Sequence, residues 1–246
     1  MRSRQGAVLT ELGEMLLPDA TDVVRRTDAL VRRAARAVRG ETGHLNIGFG
    51  LSSIELAPQA VAAFRKHYPE ADITLDDMSS DAQVNRLRSG ELHVGFARLP
   101  VPDDIGRILV QRDRLALAVP EHDAPPGDPA DLGAWLETRR FIRLDPLRGR
   151  GQANQVERFL ASCGARPRVL QDAQDQLTIL ALVSAGVGVA LVPAGARLIA
   201  PSTVRIVPLD HEAASWQIGV VWSRSQRTPL INNFLSVVRG LFVVGG

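Results

Sequence analysis

The apolar positions near the start of the chain follow a helical period. From Thr10 to Arg39 they recur at alternating intervals of four and three residues, the pattern of an α-helix with a heptad seam. Thr10 predicts the N-cap, Gly40 the C-terminal stop, and Pro18 a kink or a second helix start. Arginines occupy the opposite face, so the seam predicts a partner helix; packing on the helix's own domain is the alternative. The seam comprises Leu16, Ala20, Val23, Thr27, Leu30, Ala34 and Ala37.

Beyond Gly43 the pattern changes to short apolar runs that alternate with amphipathic segments. The order strand, helix, strand, helix, strand between residues 44 and 99 predicts a parallel sheet with crossover helices. Residues 107–123 supply strands that lead out of this unit, and a second unit of similar plan spans residues 139–193. The closing strand and helix, at 215–242, are placed to return to the first unit. The pattern therefore predicts an α/β protein with two subdomains.

The composition is that of a soluble globular protein. The 246 residues are 45% hydrophobic and 23% charged, enough chain for one large or two small domains. The formal net charge of +2 is much smaller than the clustered positive charge expected of a chain that binds nucleic acid without another domain. The sequence shows no signal peptide and no apolar run of the ~20 residues that cross a bilayer, so we expect a cytoplasmic protein without a membrane partner.

The sequence contains no pattern that indicates a metal, cofactor or nucleotide site. Cys163 is the single cysteine, which excludes an internal disulfide and a zinc site built on several thiolates. The five histidines are scattered, and none has a second ligand at metal-binding spacing. Gly186 and Gly188 follow a helix and precede a strand, the reverse of a phosphate-binding loop. We therefore predict no metal, no cofactor and no nucleotide.

Two serine pairs are the clearest candidates for ligand binding. Ser52-Ser53 and Ser79-Ser80 each lie between a predicted strand and the next helix. The carboxyl ends of parallel strands and the adjoining helix N-termini form a crevice that favours anions, and serine hydroxyls add hydrogen-bond donors. The pattern predicts a small anionic ligand with a carboxylate; simple N-capping is the alternative. Arg98, which ends the third strand, either contacts a ligand in the same crevice or faces solvent.

The opposite wall of such a crevice would come from the segment DPLRGRGQANQ, which joins a strand to a helix in the second unit. Arg148 and Arg150 in this segment are candidates to face the ligand, and a solvated loop is the alternative. An enzyme on this scaffold would need a positioned general acid or base. Asp145, Asp175 and Glu55 are the candidates, and none comes with a partner.

Four stretches of the chain resemble the LysR-type transcriptional regulators, from about Gly6 to about Gly240. AVLTELGEMLLPDA is similar to the end of that family's winged helix-turn-helix and the start of its linker helix. GHLNIGFGLSSIELAPQAVAAFRKHYPEADITL, VNRLRSGELHVGFARLP and LTILALVSAGVGVALVPAG resemble signature stretches of its effector-binding domain. Their order and spacing make the resemblance specific.

The resemblance implies a type 2 periplasmic-binding-protein fold. In that fold two Rossmann-like α/β subdomains are joined by two crossing strands, here preceded by a long linker helix. The resemblance places a wing remnant and the dimerisation helix in residues 1–42 and the effector-binding domain in residues 43–246. Subdomain I would comprise about 43–114 and 219–246, and subdomain II about 115–218.

The resemblance also implies a small acid effector bound between the subdomains. The segment VGFARLP is most similar to the corresponding segment of regulators of aromatic-acid catabolism, and this similarity implies an aromatic or dicarboxylic acid as the effector. We therefore expect a regulator rather than an enzyme, working as a homodimer or tetramer. A solute-binding protein and a carboxylic-acid dehydratase are the rivals on the same fold. The family's contact positions correspond to Ser52, Ser53 and Ser80, to the loop at residues 144–152 with Asp145 and Arg148, and to Gln174 and Asp175.

The sequence departs from the family pattern in two places. His93 stands where family members commonly have Asp, which affects only a local capping contact. Nothing before Thr10 can form a recognition helix, so we expect this polypeptide alone not to read a major groove. Binding to promoter DNA would require an N-terminal helix-turn-helix, which is missing from this sequence. A deliberate fragment, a mis-assigned start and a natural truncation all fit this pattern.

Overall fold

The computed structural model describes residues 2–3, 6–127 and 131–242. The strands are β1 Arg2–Ser3, β2 Gly6–Ala7, β3 Gly43–Phe49, β4 Ala71–Asp77, β5 Val94–Arg98, β6 Ile105–Pro120, β7 Arg140–Leu144, β8 Arg168–Ala173, β9 Val189–Pro193, β10 Val204–Pro208 and β11 Ser215–Ser223. The α-helices are α1 Glu11–Val38, α2 Leu56–His67, α3 Ser80–Ser89, α4 Leu132–Glu137, α5 Arg150–Ser162, α6 Gln176–Ser184 and α7 Pro229–Phe242. Short 3-10 helices form at Leu51–Ser53, Ala194–Leu198 and Glu212–Ala214.

Helix α1 is a single long helix with the predicted ends. The Thr10 hydroxyl accepts a hydrogen bond from the Gly13 amide at 3.1 Å, so it satisfies one of the free amides of the first turn. Gly40, with φ +68°, follows the last turn in the left-handed conformation that glycine adopts without strain. The helix runs through Pro18, so the expected second start at this residue is wrong. Pro18 is the eighth residue of α1, so the helix lacks the backbone hydrogen bond that this residue would otherwise donate to the Glu14 carbonyl.

Helix α1 has no buried residue. The alternative in which it packs on its own domain is therefore wrong. The helix joins the rest of the chain at its C-terminal end, where the Asn233 side-chain amide donates to the Arg39 and Gly40 carbonyls at 2.9 Å each. Arg36 also forms a salt bridge with Glu70. The apolar seam is consequently open to solvent along the whole helix.

The first part of the large sheet has the strand order β4-β3-β5-β11-β6. Strands β4 and β5 both pair with β3 in parallel, as the alternation of strands and helices predicts. β11 pairs antiparallel with β5 and with β6, so the chain end does return to this unit. Helices α2 and α7 pack against each other, with the rings of Phe64 and Phe234 5.3 Å apart. These elements, with α3, form what we call lobe I.

The second part of the sheet shares strand β6 with the first. The far end of β6 pairs antiparallel with β9 and β10, and β7 pairs in parallel with β8 and β9. Helices α5 and α6 cover this part, which we call lobe II. The chain thus crosses between the lobes twice, within β6 and again between β10 and β11. The sequence-based domain limits near residues 115 and 219 remain predictions.

The two lobes contact each other closely beside the strand ends, where Leu51 meets Gly195. A Cβ atom on Gly195 would lie 2.3 Å from the Leu51 carbonyl oxygen, so no side chain fits there. Next to this contact, Arg197 of lobe II forms a salt bridge with Glu55 of lobe I at 3.2 Å. These contacts hold the lobes together beside the cleft, and α3 of lobe I also contacts α5 of lobe II. No helix in the described ranges combines the length and apolar character that spanning a bilayer requires.

Candidate ligand-binding cleft

A cleft of about 480 Å³ separates the two lobes. Its size is in the range of pockets that enclose small organic ligands. Both lobes and the ends of several strands contribute to its walls, as expected at the carboxyl edge of an open α/β sheet. The lining comprises residues 50–53, 77–80, 82, 96, 98, 144, 147–149, 151, 152, 174–176, 193 and 218.

Three helices begin at the wall of this cleft. Helix α3 starts there at Ser80, α5 just after Gly149, and α6 at Gln176. The first amides of a helix lack intrahelical acceptors, and the helix dipole places a partial positive charge at this end. The cleft therefore favours a negatively charged group.

Arg98 brings a full positive charge to the cleft. Its guanidinium stacks 3.6 Å above the ring centroid of Trp216, and Nη1 donates to the Gly151 carbonyl at 3.5 Å. Burial lowers the pKa of Arg98 to about 10, against the opposing attraction of Asp113. The side chain is still charged at neutral pH, and it pairs with no carboxylate at salt-bridge distance among the described residues. The side chain lines the cleft rather than the outer surface of lobe I.

The four predicted serines all line the cleft, but their hydroxyls have different surroundings. Ser79 caps α3 by accepting from the Ala82 amide at 3.3 Å, which is the capping alternative. Ser53 donates to the Gly50 carbonyl at 3.0 Å. Burial raises the pKa of the nearby Asp113 carboxyl group, and the Ser52 side chain lowers it by a smaller amount.

Ser80 differs from the other three serines. Its oxygen accepts a hydrogen bond from the Arg98 amide at 3.0 Å. Within the described part of the chain, its own proton has no acceptor. This hydroxyl can therefore donate to a ligand in the same cleft that Arg98 lines.

The lobe II wall is a hydrogen-bonded loop. Arg148 Nε donates to Gln174 Oε1 at 3.0 Å, and Gln174 Nε2 donates to Asp145 Oδ2 at 3.3 Å. Arg148, Gln174 and Asp175 line the cleft, but Asp145 lies behind them and also accepts from the Leu147 amide. Arg150 is not part of the lining, which agrees with the solvated alternative for that residue.

The sequence analysis does not identify two of the polar residues that line the cleft, Asp77 and Gln176. Asp77 ends β4 immediately before the Met78-Ser79 step, and burial together with the nearby Asp175 carboxylate raises the pKa of its carboxyl group. Gln176, the first residue of α6, also lines the cleft. The same rule that selected the serines, a polar residue at a strand end or helix start, would have found both if carboxylates and amides had been included.

The three carboxylates considered as enzymatic acids or bases all have structural partners. Glu55 pairs with Arg197, and Asp145 accepts two hydrogen bonds within its own loop region. Asp175 caps α6 by accepting from the Thr178 amide at 2.7 Å. In the described ranges, no group of three or more His, Cys, Asp or Glu side chains is placed to hold a metal ion.

Comparison with known families matches residues 38–242 to the LysR substrate binding domain. The chain belongs to the LysR family. A curated relative, the HTH-type transcriptional regulator TfdS of Cupriavidus pinatubonensis, is 32% identical over 245 residues, which cover 97% of this chain and 81% of that protein. The relatives of this LysR-family chain are transcriptional regulators rather than enzymes.

Solved LysR structures have the same fold as this chain. The crystal structure of CbnR, a LysR family transcriptional regulator, superposes with a TM-score of 0.78 at 27% identity and covers 97% of this chain and 83% of that one. The BenM effector binding domain, solved with its effector benzoate, gives a TM-score of 0.62 at 25% identity, covering 82% of this chain and 93% of that domain. The predicted α/β fold of two Rossmann-like subdomains of the periplasmic-binding-protein type is thereby confirmed.

Proposed function

We propose that this chain is the effector-sensing and oligomerising part of a LysR-type regulator, and that its cleft binds a small organic acid. The observation that carries the proposal is the Arg98 guanidinium, which lines the cleft without a carboxylate partner at salt-bridge distance among the described residues. A desolvated positive charge is stabilised by an anion, and the three helix N-termini around the cleft favour the same ligand.

The acid carboxylate would bind at the lobe I wall. Arg98 supplies a charge-assisted hydrogen bond, the Ser80 hydroxyl a second donor, and the first amides of α3 further donors. Ser52, Ser53 and Ser79 shape this wall, while Arg148, Gln174 and Asp175 face it from lobe II, supported by Asp145. An aromatic or a dicarboxylic acid is the proposed class, and the benzoate bound by the BenM domain supports the aromatic one.

A ligand between two lobes favours the arrangement in which both lobes contact it. Binding would therefore shift the population toward a closed cleft, by bending at the two crossings within β6 and between β10 and β11. In an assembled regulator this change alters the relative orientation of the subunits, which couples the acid to promoter DNA.

The assembly is proposed to form through the seam of α1, as a homodimer or as a tetramer built from dimers. All seam residues of this helix are exposed in one chain. A second copy is the occupant that fits, because the seam alternates small and large residues. Ala20, Thr27 and Ala34 occupy one set of seam positions, and Leu16, Val23 and Leu30 occupy the other.

The charges of α1 favour an antiparallel pair. The first half of the helix is acidic, with Glu11, Glu14, Asp19 and Asp22, and the second half is rich in arginine. An antiparallel partner sets the acidic half of one helix beside the basic half of the other. It also sets each small seam residue opposite a large one, such as Ala20 opposite Leu30, so that the layers between the helices fill evenly.

Calorimetric titration with a panel of aromatic and aliphatic acids tests the proposed sensor. We expect at least one acid to bind the folded full chain, and its affinity to weaken with rising salt, since the interaction is partly ionic. No heat of binding across a broad panel, with the protein shown to be folded by circular dichroism, would contradict the proposal.

A further inference from the structure

One fully buried polar side chain lies directly behind the lobe I wall of the cleft. This residue is Gln83 of α3. Its Nε2 donates to the Met78 carbonyl at 3.1 Å and to the Phe96 carbonyl at 3.2 Å. Met78 and Phe96 both line the cleft, whereas Gln83 does not. The amide therefore supports the wall from inside the lobe.

The two carbonyls belong to the backbone segments that carry the proposed carboxylate donors. Met78 directly precedes the serine pair that ends in Ser80, and Phe96 lies two residues before Arg98. The Arg98 amide in turn donates to the Ser80 oxygen at 3.0 Å. Gln83 thereby ties the Ser80 segment to the Arg98 segment.

This connection spans the end of a strand. In the sheet, β3 lies between β4 and β5, so Met78 after β4 and Phe96 in β5 are not paired directly. The parallel register of β3 with β5 pairs Ile47 with Val94 and Gly48 with Gly95, and Phe96 comes immediately after the last pair. The Gln83 side chain thus joins the two outer segments where regular pairing across β3 stops.

Paired glycines provide the space for this side chain. Gly48 and Gly95 lie opposite each other in the register of β3 and β5. A Cβ atom on Gly95 would lie 2.6 Å from Gln83 Oε1, and one on Gly48 would lie 3.0 Å from Gln83 Cγ. The side chain is therefore held closely between the backbones of two strands and has little room to turn away from the two carbonyls.

The same arrangement leaves one acceptor without a donor. Because both carbonyls can only accept, the Gln83 Nε2 must face them. Its Oε1 is left buried, with no donor among the described residues. Such an atom lowers stability, and an apolar side chain of similar length would not contain it. The groups that the amide holds in place explain it better than its contribution to the core does.

We propose that Gln83 is a positioning residue for the acid site, and that its amide sets the spacing of the segments from which Ser80 and Arg98 reach one carboxylate. This proposal rests on the proposed function, which assigns the carboxylate to those two residues. Gln83 itself does not contact the acid. Its replacement weakens binding through the alignment of its two neighbours.

Calorimetric titration of amide-free variants tests this role. Gln83→Met removes the amide and keeps an unbranched helix-forming side chain. Titrated with benzoate, with glutarate and then with the other acids of the panel, the full-length variant should bind at least about tenfold more weakly than the wild type. Gln83→Leu should show the same loss. Asn85→Met, on the exposed face of the same helix, is the matched control. Wild-type affinity in both Gln83 variants would refute the proposal.

Two further variants separate positioning from packing. Leu87→Val shortens a buried side chain of the same helix and leaves both hydrogen bonds of Gln83 in place, so the folded variant should keep wild-type affinity. Combining Gln83→Met with Ser80→Ala should weaken binding by clearly less than the product of the two single effects, because Gln83 acts partly through Ser80. An equal loss in Leu87→Val, or fully multiplicative effects in the double variant, would reduce Gln83 to a packing residue.

Hydrogen–deuterium exchange tests the positioning without any acid. Gln83→Met should speed exchange of residues 78–82 and of the Arg98 amide, while Asn85→Met should not. Unchanged exchange in these segments would refute the positioning role and leave the acid sensor in place. Faster exchange with no acid of the panel bound to the folded wild type would instead refute the acid sensor, and with it the role of Gln83 in acid binding.

Discussion

Arg98 holds a charge in a position where water reaches it poorly. The Trp216 ring covers one face of its guanidinium, and burial lowers its pKa to about 10. Because the guanidinium has already lost part of its hydration in the free protein, binding an anion costs it less desolvation free energy. In the proposed complex, the side chain that is unfavourable in the free protein would therefore become the strongest anchor for the acid.

Replacing Arg98 by methionine should remove this anchor and keep an apolar side chain packed on Trp216. We expect the affinity for a bound acid to fall by about 10- to 100-fold, the range of a lost charge-assisted hydrogen bond. Calorimetry measures the effect, and Arg65→Met, an exposed site on α2, provides the control. Equal affinities for the Arg98 variant and the wild type would contradict a role for Arg98 in binding.

His93 predicts a dependence of stability on pH. The Asn46 amide donates to His93 Nδ1 at 2.8 Å, which requires the neutral ring, and burial, followed by the nearby His44, lowers the pKa of His93. Because the folded pKa is below the unfolded one, the unfolded chain takes up the proton first. The stability from this group is lost as the pH falls below the unfolded value of about 6.5.

The variant His93→Asn keeps an acceptor for the Asn46 amide and does not titrate. Between pH 7 and 5 we expect its unfolding free energy to fall less than that of the wild type, because the variant has no imidazole to protonate. His44→Asn should act in the opposite direction, since a hydrogen bond to Asp72 raises the His44 pKa. Urea unfolding at the two pH values measures both. Parallel pH profiles for wild type and His93→Asn would exclude His93 as the titrating group.

The sequence predicts where the four serines lie but not which groups their hydroxyls contact. The position of each pair after a strand predicts that all four lie at the cleft. Their surroundings depend on residues far along the chain, such as Asp113, which lies near Ser52, and Arg98, whose amide donates to the Ser80 oxygen. These partners meet through strand pairing, which no local pattern encodes, so the sequence could not separate the capping serine from the free donor.

At the scale of elements, helix α1 is defined by local signals alone. Its cap, its glycine stop and its heptad seam are all local, so its limits at Glu11 and Val38 agree closely with the sequence prediction. Strand β6 illustrates the opposite case. The sequence predicts separate strands there, because the polar run Gln111–Arg114 interrupts the apolar pattern. The run lies where the strand passes from one lobe to the other.

Helix α1 also carries a prediction on assembly. Leu30→Glu places a charge in the centre of the seam, so we expect the self-association constant to fall by at least about 100-fold, because each of two copies loses an apolar contact. Ala29→Glu, on the opposite face of the same helix, should leave assembly intact. Sedimentation equilibrium distinguishes the two. Unchanged assembly of the Leu30 variant, or equal loss in both variants, would contradict the proposed seam.

The whole molecule depends on contacts between distant parts of the chain. Ile218 of β11 lies opposite Arg98 of β5, and Gly195 meets Leu51 with no room for a side chain. The alternation of strands and helices predicts two α/β units, and the family resemblance predicts their mutual arrangement. Neither predicts which residues face each other across the cleft, as Asp77 of lobe I and Asp175 of lobe II do.

The central claim, that an acid binds between the lobes, is tested most directly by hydrogen–deuterium exchange of the full chain with and without a bound acid. The account predicts slower exchange in four segments that line the cleft, at residues 50–53, 77–82, 147–152 and 174–178, together with the Arg98 strand end. Protection confined to α1 or to the outer faces of the lobes, with these cleft segments unchanged, would contradict it.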